Sequence, residues 1–235
     1  MRTILKVFGA AMEKAGFQEA QRAQMSLLAP LEKKCLLWLA YRTPRWIHSD
    51  HLTLLGFLAM LLAGVSYWLA RWNPLALLLV IFWLGVNWLG DSLDGTLARV
   101  RHQQRPRYGF YVDHVVDTFG VLFLLGGLAL SGYMSVAVAA GLLIAYFMLC
   151  IEVYLATYTL GTFRLSMAKL SPTELRILLA VGNLVLFFRP TVRILGESYR
   201  FYDVAGVIAI VALGVVLITS VTRNTRALYR AERSP

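Results

Sequence analysis

Four aspartates stand within 27 residues in the stretch DSLDGTLARVRHQQRPRYGFYVDHVVD, at Asp91, Asp94, Asp113 and Asp117. Most of the residues around this stretch are Leu, Val, Phe, Trp and Gly. The first pair is spaced i, i+3 and the second i, i+4, so each pair projects from one face of its helix. The intervening RVRHQQRPR run suits a connection between two antiparallel helix ends. Both pairs then converge on one point. Unpaired carboxylates there repel one another, and each costs roughly 2.5–3.5 kcal/mol at mid-bilayer, less near the interface. Divalent cations are the natural compensation. Carboxylates with no His or Cys ligand set favour the hard ions Mg²⁺ and Mn²⁺, and His114 has the wrong company for zinc. Four such groups suit two ions about 4 Å apart, an arrangement that clamps phosphoryl groups during displacement.

Gly95 and Ala98 follow Asp94 and keep the helix surface low beside the carboxylates. Arg99 comes next and is placed to neutralise a phosphate. Carboxylates, shelf and arginine together describe a diphosphate site. Close packing between membrane helices is the alternative account of the two small residues.

The elements that must carry these groups are apolar. Of 235 residues, 58% are hydrophobic and 15% charged, with a mean hydropathy of +0.63. A soluble domain of this size lacks the polar residues to cover itself on that composition, so the expected fold is an all-α integral membrane protein. Six transmembrane helices are predicted near 52–70, 75–98, 108–131, 135–160, 173–188 and 203–221. Each approaches or reaches the roughly 20 residues that cross the hydrocarbon layer. The breaks fall at turn-forming stretches such as Trp72-Asn73-Pro74 and Arg189-Pro190. Residues 1–48 form a cytoplasmic and interfacial N-terminal segment, 49–222 the six-helix catalytic domain and 223–235 a basic cytoplasmic tail.

With the N-terminus in the cytoplasm, 19 of the 23 Lys and Arg fall on inside segments and four on outside loops. The aspartates then face the cytoplasm. The net charge of +10 fits loops that meet anionic lipid rather than nucleic acid. Residues 1–34 read as an amphipathic helix rather than the apolar stretch of a signal peptide. Segment 31–42, LEKKCLLWLAYR, gathers Leu31, Cys35, Leu36, Leu39 and Ala40 on one face, as in a helix lying in the membrane interface. Cys35 and Cys150 are too isolated for a disulfide framework or a zinc site and read as small core residues.

The series Asp91-x2-Asp94-Gly95-x2-Ala98-Arg99-x9-Gly109-x3-Asp113-x3-Asp117 resembles the motif of the CDP-alcohol phosphotransferases. The helix count and the amphipathic N-terminal helix are also similar to that family. The resemblance implies that a CDP-linked donor binds two divalent cations through its pyrophosphate. An acceptor hydroxyl then attacks the β-phosphorus and CMP leaves. On the family pattern Asp91, Asp94, Asp113 and Asp117 surround the metals, and Asp117 is also the candidate general base. Gly95, Ala98, Arg99 and Gly109 belong to the motif beside the nucleotide diphosphate. Ser49-Asp50-His51-Leu52-Thr53-Leu54-Leu55-Gly56 keeps the Leu, Thr and Gly of the family's Pro-Asn-x-Leu-Thr-x2-Gly, which places Thr53 near the nucleotide. The resemblance further implies a homodimer in the cell's inner or plasma membrane.

Two classes of donor remain. One is CDP-diacylglycerol, with a small polar alcohol as acceptor. Arg164 and Lys169 are then the basic residues for an anionic acceptor. The other is CDP-choline or CDP-ethanolamine, with a diacylglycerol-like acceptor. Asp113-His114-x2-Asp117 resembles the Asp-His-Gly-x-Asp of the choline/ethanolamine branch and makes His114 a catalytic candidate. Glu152-x-Tyr154, Leu160-Gly161-Thr162 and Ser171-Pro172-Thr173-Glu174 are similar to further elements of that branch, and Glu152 becomes a second base candidate. Two other classes compete with the family. An intramembrane prenyltransferase shares an Asn-x3-Asp, here Asn87-x3-Asp91, but needs a second Asp-rich motif downstream. A cation transporter uses intramembrane carboxylates but predicts repeated halves and broken helices at the midplane.

Overall fold

A computed structural model describes residues 29–160 and 172–232. These residues form seven helices and one hairpin. Helix α1 (Ala29–Arg42) leads to α2 (Ser49–Leu69), α3 (Ala76–Val100), α4 (Pro106–Ser131), α5 (Val136–Leu160) and α6 (Pro172–Phe188). The antiparallel strands β1 (Thr191–Ile194) and β2 (Glu197–Arg200) then lead into α7 (Phe201–Ala231). Among the described residues, five helices, α2, α3, α4, α5 and α7, are long and apolar enough to cross a membrane. The fifth predicted span, α6, has 17 residues and rises about 26 Å, short of a hydrocarbon core roughly 30 Å thick. The protein is an all-α multi-pass membrane protein.

The helix boundaries follow local chemistry. Pro106 opens α4 at a position where a missing N–H costs nothing. Gly132, at φ 83°, ends it in the left-handed conformation that glycine adopts freely. The turn between α2 and α3 is closed by Asn73, whose Oδ1 accepts the Leu75 N–H at 3.0 Å. After α6 the sequence analysis placed a plain loop, and the structure has a hairpin. Its two-residue turn, Leu195-Gly196, has φ of 52° and 93°, and the twist of such a turn matches that of the strands.

Helix α2 is the spine of the site. It packs against both α3 and α4, which touch each other little. The crossings are made on glycine. A Cβ on Gly127 would lie 1.9 Å from the Gly64 carbonyl oxygen, and one on Gly90 2.6 Å from that of Leu52. Backbone therefore meets backbone at both contacts, which fixes where α3 and α4 stand. Tyr67, Leu77, Val80, Leu84, Leu124, Leu128 and Leu186 fill the core at the opposite end. Asn183 on α6 donates to the Tyr67 hydroxyl at 2.9 Å there.

Helix α1 buries part of its predicted apolar face. Leu36 and Ala40 are buried against Leu52, Leu93 and Leu97, while Lys33 and Lys34 are exposed. Cys35 is exposed rather than packed in a core, and both described cysteines are free thiols. Glu32 fastens α1 to two other helices. Its Oε1 accepts from Trp88 Nε1 at 2.9 Å, Thr173 Oγ1 at 2.8 Å and Ser92 Oγ at 3.4 Å. The basic connection after α3 is used the same way. Arg101 donates to the carbonyls of Ile47 (2.5 Å), Thr43 (2.9 Å) and Pro44 (3.0 Å), and Arg105 pairs with Asp50.

Candidate active site

The C-terminal turns of α3 and the N-terminal turns of α4 lie at the same end of the bundle. The short connection through His102, which adopts a positive φ of 54°, reverses the chain between them. Asp91 and Asp94 therefore share one membrane face with Asp113 and Asp117. The carboxylates of Asp91 and Asp113 lie close enough to Asp94 to act on it electrostatically. The N-terminus of α2 completes this corner. Thr53 donates to Asp94 Oδ2 at 2.7 Å, and the Gly95 N–H donates to Oδ1 at 2.5 Å. Ser49 Oγ donates to the Asp94 carbonyl at 3.1 Å. Thr53, predicted near the nucleotide, thus holds a site carboxylate.

Asp91 faces a residue that local spacing did not single out. Arg176 of α6 donates from Nη2 to Asp91 Oδ2 at 2.6 Å and from Nε to Asn87 Oδ1 at 2.7 Å. Asn87 in turn donates to the Gly56 carbonyl at 3.0 Å. The available clue was a lone arginine at the start of an apolar stretch, which the sequence reading counted only as inside charge.

Two glycines of the motif have a different environment from those at the helix crossings. A Cβ on Gly109 would meet nothing within 4 Å, and one on Gly95 only the flexible end of Arg99, at 3.7 Å. Close packing does not explain either. They leave open surface beside the aspartates. Arg99 is exposed beside this surface and donates to Thr96 Oγ1 at 3.1 Å. Ala98 lies half-buried on the same turn.

Asp117, one turn further along α4 from Asp113, faces a polar stripe of α5. Tyr146, Cys150 and Tyr154 all lie within its electrostatic reach. The Cys150 thiol lies beside both tyrosines, and Tyr154 also beside Thr118. His114 sits at the same junction. Its Nδ1 donates to the Phe110 carbonyl at 2.5 Å, and its ring meets Tyr154 edge-on at 5.2 Å. Glu152 reaches α7 instead. Ser220 Oγ donates to its Oε2 at 2.9 Å, and Asn224 Nδ2 to its Oε1 at 2.7 Å. Arg164, Lys169, Gly161, Thr162 and Ser171 lie outside the described residues.

Among the described residues, no three His, Cys, Asp or Glu side chains close on one point as they stand. The donor set itself is made of hard carboxylate oxygens on neighbouring helix ends, with glycine surface left open beside them. That chemistry fits Mg²⁺ or Mn²⁺.

The sequence between residues 46 and 221 matches the family model described as CDP-alcohol phosphatidyltransferase. The chain belongs to the CDP-alcohol phosphatidyltransferase family. It is therefore an enzyme of the phosphotransferase class that moves a substituted phosphate from a CDP-alcohol to an acceptor, in phospholipid biosynthesis at a membrane. The match runs from the corner before α2 into the apolar part of α7 and so includes every motif residue named above. The prenyltransferase and transporter readings give way to this membership. No curated protein matches the chain significantly.

Proposed function

We propose that this CDP-alcohol phosphatidyltransferase family member is a divalent-cation-dependent enzyme of two-carboxylate-pair design. Asp91, Asp94, Asp113 and Asp117 hold Mg²⁺ or Mn²⁺ and Asp117 acts as general base. The observation that supports it is that the helix ends carrying the two aspartate pairs lie at the same end of the bundle, with Asp91 and Asp113 near Asp94, beside the open surface at Gly95 and Gly109. When bound, the cations supply charge neutralisation for the diphosphate and for the leaving CMP. Gly95 and Ala98 let the diphosphate approach the backbone of α3, and Arg99 offers it a cation. Thr53 and the Gly95 N–H keep Asp94 oriented. Asp117 takes the proton of the acceptor hydroxyl as its oxygen attacks the β-phosphorus and the bond to CMP breaks. His114 and Tyr154 border the acceptor's approach from the junction of α4 and α5.

Glu152 is assigned to the frame rather than to proton transfer, because both of its oxygens are taken up by α7. Glu152→Gln keeps an oxygen for Asn224 and an amide for the Ser220 hydroxyl, so most of the turnover should survive. Glu152→Ala should lower stability by about 1–3 kcal/mol. Thermal unfolding and CMP release measured on both variants check this. A Glu152→Gln enzyme that folds normally and is inactive would restore Glu152 as the base.

For the donor, the Asp113-His114 pair and the neutral hydroxyl and thiol stripe of Tyr146, Cys150 and Tyr154 favour an uncharged, diacylglycerol-like acceptor. The donor is then CDP-choline or CDP-ethanolamine. The active site faces the cytoplasm on the distribution of Lys and Arg, and the enzyme works as a homodimer. Offering CDP-choline, CDP-ethanolamine and CDP-diacylglycerol in parallel with mixed acceptors, and weighing the products, tests the donor. Product from CDP-diacylglycerol alone assigns the chain to the lipid-donor class.

A further inference from the structure

Arg176 belongs to no part of the motif, yet it occupies one carboxylate oxygen of Asp91. We propose that Arg176 is the counter-ion of Asp91 in the absence of metal and competes with the divalent cation for that carboxylate, so that it sets how tightly the cation binds. The proposal rests on the reading of the aspartates as metal ligands.

Three observations carry it. First, the guanidinium is aimed. Nε is held by Asn87 Oδ1 at 2.7 Å, and Asn87 is itself tied to the α2 backbone through the Gly56 carbonyl. The fork therefore presents Nη2 to Asp91 Oδ2 at 2.6 Å from a fixed base. Second, the two partners are unequally sheltered. The Arg176 side chain is 15% exposed and that of Asp91 34%. A cation arriving at the more open face of Asp91 meets an arginine held behind it, where a lowered local dielectric strengthens the competition. Third, Arg176 Nη1 is buried and has no hydrogen-bond partner among the described residues. Its unsatisfied N–H suits a phosphate oxygen brought in with the cation, which would offset the loss of Asp91 as a partner.

The chemistry follows. With Arg176 in place, one negative charge of the cluster is already compensated, and the carboxylates repel one another less. A divalent ion that ligates Asp91 Oδ2 must displace Nη2 or share the oxygen with it. Removing the positive charge leaves Asp91 beside Asp94 and Asp113 without that counter-ion, so the cluster attracts a cation more strongly.

The test is Mn²⁺ binding by detergent-solubilised full-length protein, read from the electron paramagnetic resonance signal of free Mn²⁺, with no substrate present. Arg176→Gln should bind Mn²⁺ at least tenfold more tightly than the wild type. Arg176→Lys keeps the charge but cannot bridge Asn87 and Asp91 together, and should bind it a few-fold more tightly. Asp91→Asn, as a control, should bind it more weakly than the wild type. Equal or weaker Mn²⁺ binding by Arg176→Gln overturns the proposal while leaving the metal reading intact. Should Arg176→Gln fail to fold, an unchanged affinity in Arg176→Lys overturns it equally. A wild type that binds no Mn²⁺ while still releasing CMP overturns the metal reading itself, and this inference with it.

Discussion

Asp91→Asn, Asp94→Asn and Asp113→Asn should each lower CMP release by at least about a thousandfold while leaving a folded membrane protein. The size follows from what each carboxylate does. Removing a single preorganised charge-stabilising group from an active site costs about 10²–10³ in rate, and a carboxylate that also holds a cation adds the loss of that cation. Folding should survive, because Asn keeps the shape of Asp and relieves repulsion between neighbouring carboxylates. Asp94 is the most demanding of the three. Its two oxygens accept from Thr53 and the Gly95 N–H, and Asn offers only one acceptor oxygen to replace them. Asp94→Asn should therefore also lose some stability, and so should Asp91→Asn, which removes the charge partner of the sheltered Arg176. Size-exclusion profiles and thermal unfolding separate the effects. Normal turnover in all three variants would remove the aspartates from the chemistry.

The largest effect on stability should come from a residue with no chemistry at all. Gly127→Val places a Cβ 1.9 Å from the Gly64 carbonyl oxygen, where both partners are backbone and neither can swing away. Only separation of α2 and α4 relieves the clash. Overpacking a tight contact costs about 1–3 kcal/mol and sometimes more, and a backbone-to-backbone contact belongs at the top of that range. The protein should be lost from the membrane fraction or unfold at markedly lower temperature. Gly126→Val is the matched control, since a Cβ there meets nothing within 4 Å. Equal behaviour of the two variants would contradict the crossing that positions α4.

Much of the site was legible because its logic is local. The i, i+3 and i, i+4 spacings fix the face of each aspartate pair, and a short basic connection between apolar stretches forces the two faces to one side of the membrane. The buried face of α1 was legible for the same reason, from the period of Leu36 and Ala40. Residues whose partners are distant in sequence were harder to place. Arg176 meets Asp91 only because α6 packs against α3, and nothing in ELRILLAV marks that pairing. Glu152 is comparable: an intramembrane carboxylate called for a partner, but only the packing of α5 on α7 shows it to be Ser220 and Asn224. Glycines divide the same way. Gly90 and Gly127 serve helix crossings, whereas Gly95 and Gly109 border open surface, and their neighbours in sequence do not tell the two kinds apart. The β1–β2 hairpin escaped a reading based on hydropathy, which sees an apolar run end at Phe188 without showing how the chain returns.

The most direct measurement is CMP release from CDP-alcohols by the purified protein, first after chelation of divalent cations and then with Mg²⁺ or Mn²⁺ restored. CMP should form only with the cation present and in step with a phospholipid product. Release at full rate from the chelated enzyme, or failure to release CMP from any of the three CDP-alcohols with cation restored, would contradict the account.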